Sequence, residues 1–270
     1  MNQLTTEVNP ASYAEVNGLS LHYEEHGAGE PLILLHGGFG AAALLGPIVP
    51  ALAAERRVIA VDMRGHGRTA DIDRPLDPAL LAEDIAALIR YLGLEQADLM
   101  GYSLGGEVAL RTAIQHPALV RRLVLVSVPF ARSGNHSEVI AAMDHQHPGL
   151  AEMLKPSPNY QHYARVAPRP DDWAKLVAKT SEHLAQDYDW SADLPAISAT
   201  TMLVFADADS VRPAHVVDFY GLLGGGQRDA GVDGSGRAAT HLAILPGTTH
   251  YDVLLSPLLA PAVAQFLNTR

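Results

Sequence analysis

The amino-acid sequence predicts an α/β protein: a mostly parallel, doubly wound sheet with helices on both faces, interrupted once by a helical insertion. Three observations lead there. Short continuous apolar runs alternate with segments of helical period, the pattern of strands buried on both faces and joined by crossover helices. Several of these runs end in glycine-rich turns. The alternation also stops between residues 129 and 194, then resumes.

Taken in order, two alternating runs around Asn17-Gly18 read as an opening hairpin. Pro31-Leu-Ile-Leu-Leu35 is a buried strand, ended by His36-Gly37-Gly38-Phe39-Gly40, and residues 41–54 have helical composition. Arg57-Val-Ile-Ala-Val-Asp62 is the next strand. The loop after it, Met63 onward through Arg64, Gly65, His66, Gly67, Arg68 and Thr69, holds too much glycine for a helix. Pro78 opens a helix to about Tyr91, with Leu80, Leu81, Ile85, Leu88 and Leu92 at helical spacing, and Gly93 ends it. Strand, helix and strand follow at 97–101, 104–115 and 122–127, which implies right-handed parallel crossovers.

Residues 129–194 hold several Pro and His and helical pieces at 138–145 and 171–186, without a convincing buried strand. They are predicted to form a helical lid over the sheet top. The core is then 1–128 together with 195–270. It resumes with a strand at 200–205, a helix at 213–223, a strand at 241–245 and a last helix at 258–267. The glycine-rich excursion 224–236 reads as a surface loop or flap.

A chain of 270 residues, 48% hydrophobic, can bury a sizeable core. Its net charge of −11, without clustered Lys and Arg, argues against a nucleic-acid partner or an anionic membrane. There is no Cys, hence no disulfide, thiolate nucleophile or Cys-based metal site. The first residues lack the basic and apolar regions of a secretory signal, so the cytoplasm is the expected location. Asn135-His136-Ser137 matches a glycosylation acceptor by chance in such a chain.

The chemistry centres on Gly101-Tyr102-Ser103-Leu104-Gly105-Gly106, which fits G-x-S-x-G between a strand and a helix. Ser103 is expected at a cramped corner, its hydroxyl exposed as a nucleophile and the Leu104 N–H placed at a helix N-terminus to meet an oxyanion. A serine hydroxyl needs a base. His250 follows the last core strand, where catalytic groups of open α/β sheets gather. Phe205-Ala206-Asp207-Ala208-Asp209 offers two carboxylates to orient that base, and Asp209, further beyond the strand, is favoured over Asp207. The Gly38 N–H is the expected second oxyanion donor, and His36 a structural tie between loops. Phe39, Tyr102 and Trp173 are candidate substrate contacts, although the lid aromatics Trp173, Trp190, Tyr160, Tyr163 and Tyr188 also suit packing.

The motifs at His36, Asp62, Ser103, Asp209 and His250 together resemble those of the α/β-hydrolase superfamily of serine esterases, from residue 12 to the end of the chain. The resemblance implies the α/β-hydrolase fold, Ser103 as nucleophile, Asp209 as acid, His250 as base, and Gly38 and Leu104 as oxyanion donors. The chain departs from the pattern in two places. Ala206 stands where Gly is commoner, and the 224–236 excursion is long, which leaves Asp229 and Asp233 as alternative acids.

His145-Gln146-His147 lacks a carboxylate at metal-ligand spacing, no phosphate loop is present, and no cofactor or metal is expected. The expected activity is hydrolysis of a small-molecule carboxylic ester or lactone. The glycine-rich turn at Gly37, Gly38 and Gly40, the 224–236 flap and a similarity to bacterial macrolide esterases extend this to a bulky macrolide-type lactone. The rival expectations are perhydrolase, C–C hydrolase or lyase chemistry on the same triad, or a ligand-binding receptor on a hydrolase scaffold.

Overall fold

A computed structural model describes residues 12–46, 48–145 and 149–269. Eight strands, β1 (Ser12–Val16), β2 (Leu19–His26), β3 (Glu30–Leu35), β4 (Arg56–Val61), β5 (Ala97–Tyr102), β6 (Val120–Val126), β7 (Thr200–Ala208) and β8 (His241–Thr249), form one sheet in the order β1-β2-β4-β3-β5-β6-β7-β8. The first two are antiparallel, and β3 to β8 run parallel. The opening hairpin turns at Asn17 and Gly18, both at positive φ, as an Asn-Gly two-residue loop requires.

The continuous apolar runs follow from burial on two faces. Within β3, Ile33 and Leu35 join one core while Leu32 and Leu34 join the other; β4 splits Ile59 and Val61 from Val58 and Ala60 in the same way. Helices α2 (Pro78–Tyr91) and α3 (Leu104–Gln115) cover the first face. The short α1 (Val49–Ala53) and the C-terminal α9 (Leu259–Leu267) cover the second.

Two segments differ from expectation. The predicted helix at 41–54 is broken into a 3-10 turn, Ala42–Leu45, and α1. Gly46 follows the first piece and Pro50 sits in the first turn of the second, where its missing N–H costs nothing. Strand β8 runs four residues past its predicted end, through Pro246 and Gly247, with an irregular register against β7. As an edge strand it tolerates the proline. Between β6 and β7 stand α4 (Ser137–Asp144), α5 (Leu150–Met153), α6 (Pro158–Val166) and α7 (Trp173–Ala185); α8 (Pro213–Leu222) then links β7 to β8. Among the described residues no helix is long and apolar enough to cross a membrane.

Helix α3 enters the sheet at close range. A Cβ on Gly105 would stand 2.4 Å from the His36 carbonyl oxygen and 2.5 Å from that of Leu35; one on Gly101 would stand 2.1 Å from the Gly105 oxygen. Backbone cannot retreat as a side chain can. Gly105→Ala is therefore expected to destabilise the fold by about 3 kcal/mol, the upper range for overpacking, measured as a lowered urea midpoint.

Candidate active site

Ser103 sits between β5 and α3 with φ 52° and ψ −123°, a conformation that a non-glycine residue adopts only under constraint. Its N–H donates to the Val126 carbonyl on β6 at 3.0 Å, and its carbonyl accepts from Gly106 and Glu107. The corner is thus tied to both the sheet and the helix. Ser103 Oγ lies 3.2 Å from His250 Nε2. His250, just past β8, holds Nδ1 3.1 Å from Asp209 Oδ1 and 2.9 Å from Ser210 Oγ.

Asp209 lies just beyond β7, its side chain only 2% exposed. Its Oδ2 accepts from the Ser127 hydroxyl at 2.6 Å and the Ala206 N–H at 3.0 Å; its Oδ1 accepts from Ser210 Oγ and the Val211 N–H, both at 3.3 Å. Burial pushes its pKa up, yet hydrogen bonds from His250 and Ser127, the His250 charge and the Ala206 N–H together hold it below the ordinary carboxylate value. The other carboxylates named from the sequence are engaged elsewhere. Asp207 accepts from the Gly247 and Thr248 N–H groups. Asp229 and Asp233 cap turns of their own loop.

That loop requires a correction to the expected flap. It joins the end of α8 to the start of β8, and Thr240 beside it donates to the Leu223 carbonyl. Ser103, Asp209 and His250 stand at the opposite, C-terminal ends of the strands, with β8 itself, about 25 Å of extended chain, in between. The 224–236 excursion and its two aspartates therefore lie away from the site.

The turn after β3 is clamped by two imidazoles. His36 Nε2 accepts from the Met63 N–H at 3.1 Å, so its Nδ1–H donates to the Gly37 carbonyl at 2.7 Å. His66 Nε2 accepts from the Phe39 N–H at 3.2 Å, and its Nδ1–H donates to the Arg64 carbonyl. Burial holds both rings neutral, with the His66 pKa down to about 3. Gly40 closes the turn on the Gly37 carbonyl. The Gly38 and Leu104 N–H groups have no hydrogen-bond acceptor among the described residues. A Cβ on Gly38 would lie 4.0 Å from Leu104 Cδ2, so the two residues adjoin.

A family model described as the alpha/beta hydrolase fold matches residues 30–162. The protein named "Putative carbamate hydrolase RutD" of Variovorax paradoxus (strain S110) is 34% identical over 216 residues, covering 72% of this chain and 80% of its own. The chain belongs to the α/β-hydrolase family. The 2-hydroxymuconate semialdehyde hydrolase of Pseudomonas sp. (strain CF600) is 38% identical over 150 residues, 51% of this chain. This α/β-hydrolase spans half the length of that relative, and 43% and 40% of two others, a RutD protein of Azorhizobium caulinodans and a soluble epoxide hydrolase of Corynebacterium. Two solved structures share the fold: E-2-(acetamidomethylene)succinate hydrolase, at 21% identity and TM-score 0.75 over 96% of this chain and 99% of that one, and the enol-lactonase of Burkholderia xenovorans LB400, at 19% and 0.70 over 95% and 100%.

In this α/β-hydrolase the three residues named as substrate contacts are placed differently from one another. Phe39 is half-buried, at φ 60°, with its ring 6.1 Å from that of Trp173. Trp173 is 3% exposed, packed against Tyr160 and Tyr163, and its Nε1–H donates to the Ala151 carbonyl. The Tyr102 hydroxyl donates to the His250 carbonyl at 2.7 Å, which steadies the residue facing Ser103. Sequence reasoning missed Ser127, Ser210 and His66. Ser210 adjoins Asp209 in sequence and could have been found; Ser127 becomes relevant only through strand pairing. His147 lies outside the described residues. Among those described, no group of three or more His, Cys, Asp and Glu side chains could hold a metal ion.

Asp62 supports the site from behind. It accepts from the Ala42 and Arg68 N–H groups at 2.7 and 2.8 Å and lies 2.9 Å from His22 Nδ1. Burial raises its pKa, but His22 and the two N–H groups bring it down to about 2. Because the folded pKa lies below the unfolded one, this stabilisation is complete above about pH 5 and is lost as pH falls towards 2. Chemical denaturation should find Asp62→Asn less stable at pH 6 by about 2 kcal/mol from this ionisation, with the gap to wild type closing as pH falls from 5 to 2.

Proposed function

We propose that the protein is a serine hydrolase that cleaves a carboxylic ester or lactone through an acyl-enzyme. The observation that carries this reading is the continuous line Ser103 Oγ, His250 and Asp209, each step 3.2 Å or less, beside two backbone N–H groups without an acceptor among the described residues. Ser103 attacks the carbonyl carbon while His250 Nε2 takes its proton. The Gly38 and Leu104 N–H groups receive the oxyanion, each worth roughly 2.7–4 kcal/mol of transition-state stabilisation. His250 returns the proton to the leaving alkoxide, then activates the water that releases the acid. Asp209, fixed by Ser127 and Ala206, keeps Nδ1 protonated and stabilises the imidazolium.

The macrolide-sized substrate is not part of this proposal, because the flap expected to admit it lies at the other end of the sheet. A second reading, hydrolysis of a carbon–carbon bond by the same residues, rests on the 38% identity with the Pseudomonas 2-hydroxymuconate semialdehyde hydrolase. The similarity to RutD adds carbamates to the substrates worth assaying.

A fluorophosphonate probe is expected to label the wild type, while Ser103→Ala and His250→Ala remain unlabelled. A folded wild type that resists labelling overturns the serine-hydrolase reading. Turnover of an ester, a lactone, a carbamate and 2-hydroxymuconate semialdehyde, measured side by side, then separates the two readings. Asp209→Asn should lower turnover roughly ten-thousand-fold, as loss of the orienting carboxylate does in such triads. Asp207→Asn, which touches only the Gly247–Thr248 turn, should stay within a few-fold of wild type.

A further inference from the structure

The oxygen nearest to His250 Nδ1 is not the carboxylate. Ser210 Oγ stands 2.9 Å from it and Asp209 Oδ1 3.1 Å, so two consecutive residues of one loop face the same nitrogen. Their chemistry fixes which way the protons lie. Asp209 is ionised and only accepts, so Nδ1 carries the proton, as it must in a ring that takes another at Nε2. Ser210 Oγ then receives that N–H as well and turns its own O–H to Asp209 Oδ1, 3.3 Å away. The Nδ1 proton is shared between a neutral oxygen and a charged one.

The main chain holds that hydroxyl in place. Half-buried Ser210 accepts at its carbonyl from the His136 N–H at 2.9 Å, the Arg212 N–H donates to the Gly134 carbonyl at the same distance, and Asn135 pairs with Val211 in an antiparallel bridge. The Arg212 guanidinium adds bonds to the Ser133 and Asn135 carbonyls. The chain that leads from β6 into α4 thus fixes the loop beyond β7.

Asp209 does not depend on the hydroxyl, because Ser127, Ala206, Val211 and His250 donate to it in any case. The imidazole does. With one acceptor left, Nδ1 turns towards Asp209 and Nε2 swings off Ser103 Oγ, which already stands 3.2 Å away, at the outer end of hydrogen-bond reach. We propose that Ser210 is a positioning residue for the reaction, its hydroxyl sharing the Nδ1 proton with Asp209 and so holding the His250 ring on the line to Ser103. This inference rests on the serine-hydrolase reading and adds a fourth residue to the triad.

Ser210→Ala is expected to lower kcat for p-nitrophenyl butyrate about tenfold, the size of one hydrogen bond to a group that becomes charged, and to leave KM within about twofold. Ser210→Thr, which keeps an oxygen beside Nδ1, should recover most of kcat. A proton NMR spectrum supplies the readout that a purely structural role leaves unmoved. The downfield resonance of the Nδ1 proton, recognised by its loss in His250→Ala, should move further downfield in Ser210→Ala, where the bond to the carboxylate is no longer shared, and return in Ser210→Thr. Four results overturn the proposal: an unchanged kcat, a loss carried by KM, no recovery of either readout in Ser210→Thr, or a resonance that is missing from wild type or fails to move downfield in Ser210→Ala. Ser210→Gly replaces the alanine variant should alanine impair folding. If folded wild type neither turns over the ester nor takes the fluorophosphonate, the spectrum decides alone. A resonance that moves downfield upholds the contact while the hydrolase reading falls; one that is missing or stays in place overturns both.

Discussion

The close approach of α3 to β3 and β5 is the constraint on which the rest of the site depends. Gly105 lies against the carbonyls of Leu35 and His36, and Gly101 against Gly105. With no room for side chains there, the chain must reverse within one residue, and Ser103 takes the strained conformation. Such a residue costs on the order of 1–3 kcal/mol. The cost is offset by what α3 buries: Val108, Ala109 and Leu110 are fully covered in the core. The same closeness sets the start of α3 beside the turn after β3, so the Leu104 and Gly38 backbones become neighbours although 66 residues separate them.

Around this corner, ionisation is divided by burial. His36 and His66 are kept neutral by desolvation, which lets each accept one backbone N–H and donate to one carbonyl. A protonated ring would lose its acceptor and release the loop it holds. Asp62 and Asp209 are charged by contrast, because each collects several donors that outweigh the cost of burial. On α7 the balance differs again. Burial lowers the His183 pKa, but Glu107 more than compensates, and the ring's pKa is raised.

What was legible in the sequence was what local chemistry determines. The Asn17-Gly18 hairpin, the two-faced apolar strands and the glycines around Ser103 each carry their reason within a few residues. The segment at 41–54 was misread because composition favoured a helix that Gly46 and Pro50 divide. Position beyond the strand favoured Asp209 over Asp207, but both leave the same strand and local sequence showed neither's partners. Ser127, brought in by the pairing of β6 with β7, and the position of His250 separate them. The misplaced 224–236 flap is a different case. A connection from a helix to the next parallel strand lies at the N-terminal ends of the strands, so topology alone assigned it to the far side.

The anchoring of α7 bears on timescale. Lys179 fastens the helix to the loop after β4, and one turn later His183 fastens it to α3, so two parts of the core hold it at once. A helix gripped in this way drifts with the core instead of swinging on a hinge. Exchange of small molecules at Ser103 then falls to single side chains at the rim, such as half-buried Phe39, whose rearrangements belong to the nanosecond range and not to the microseconds of domain closure.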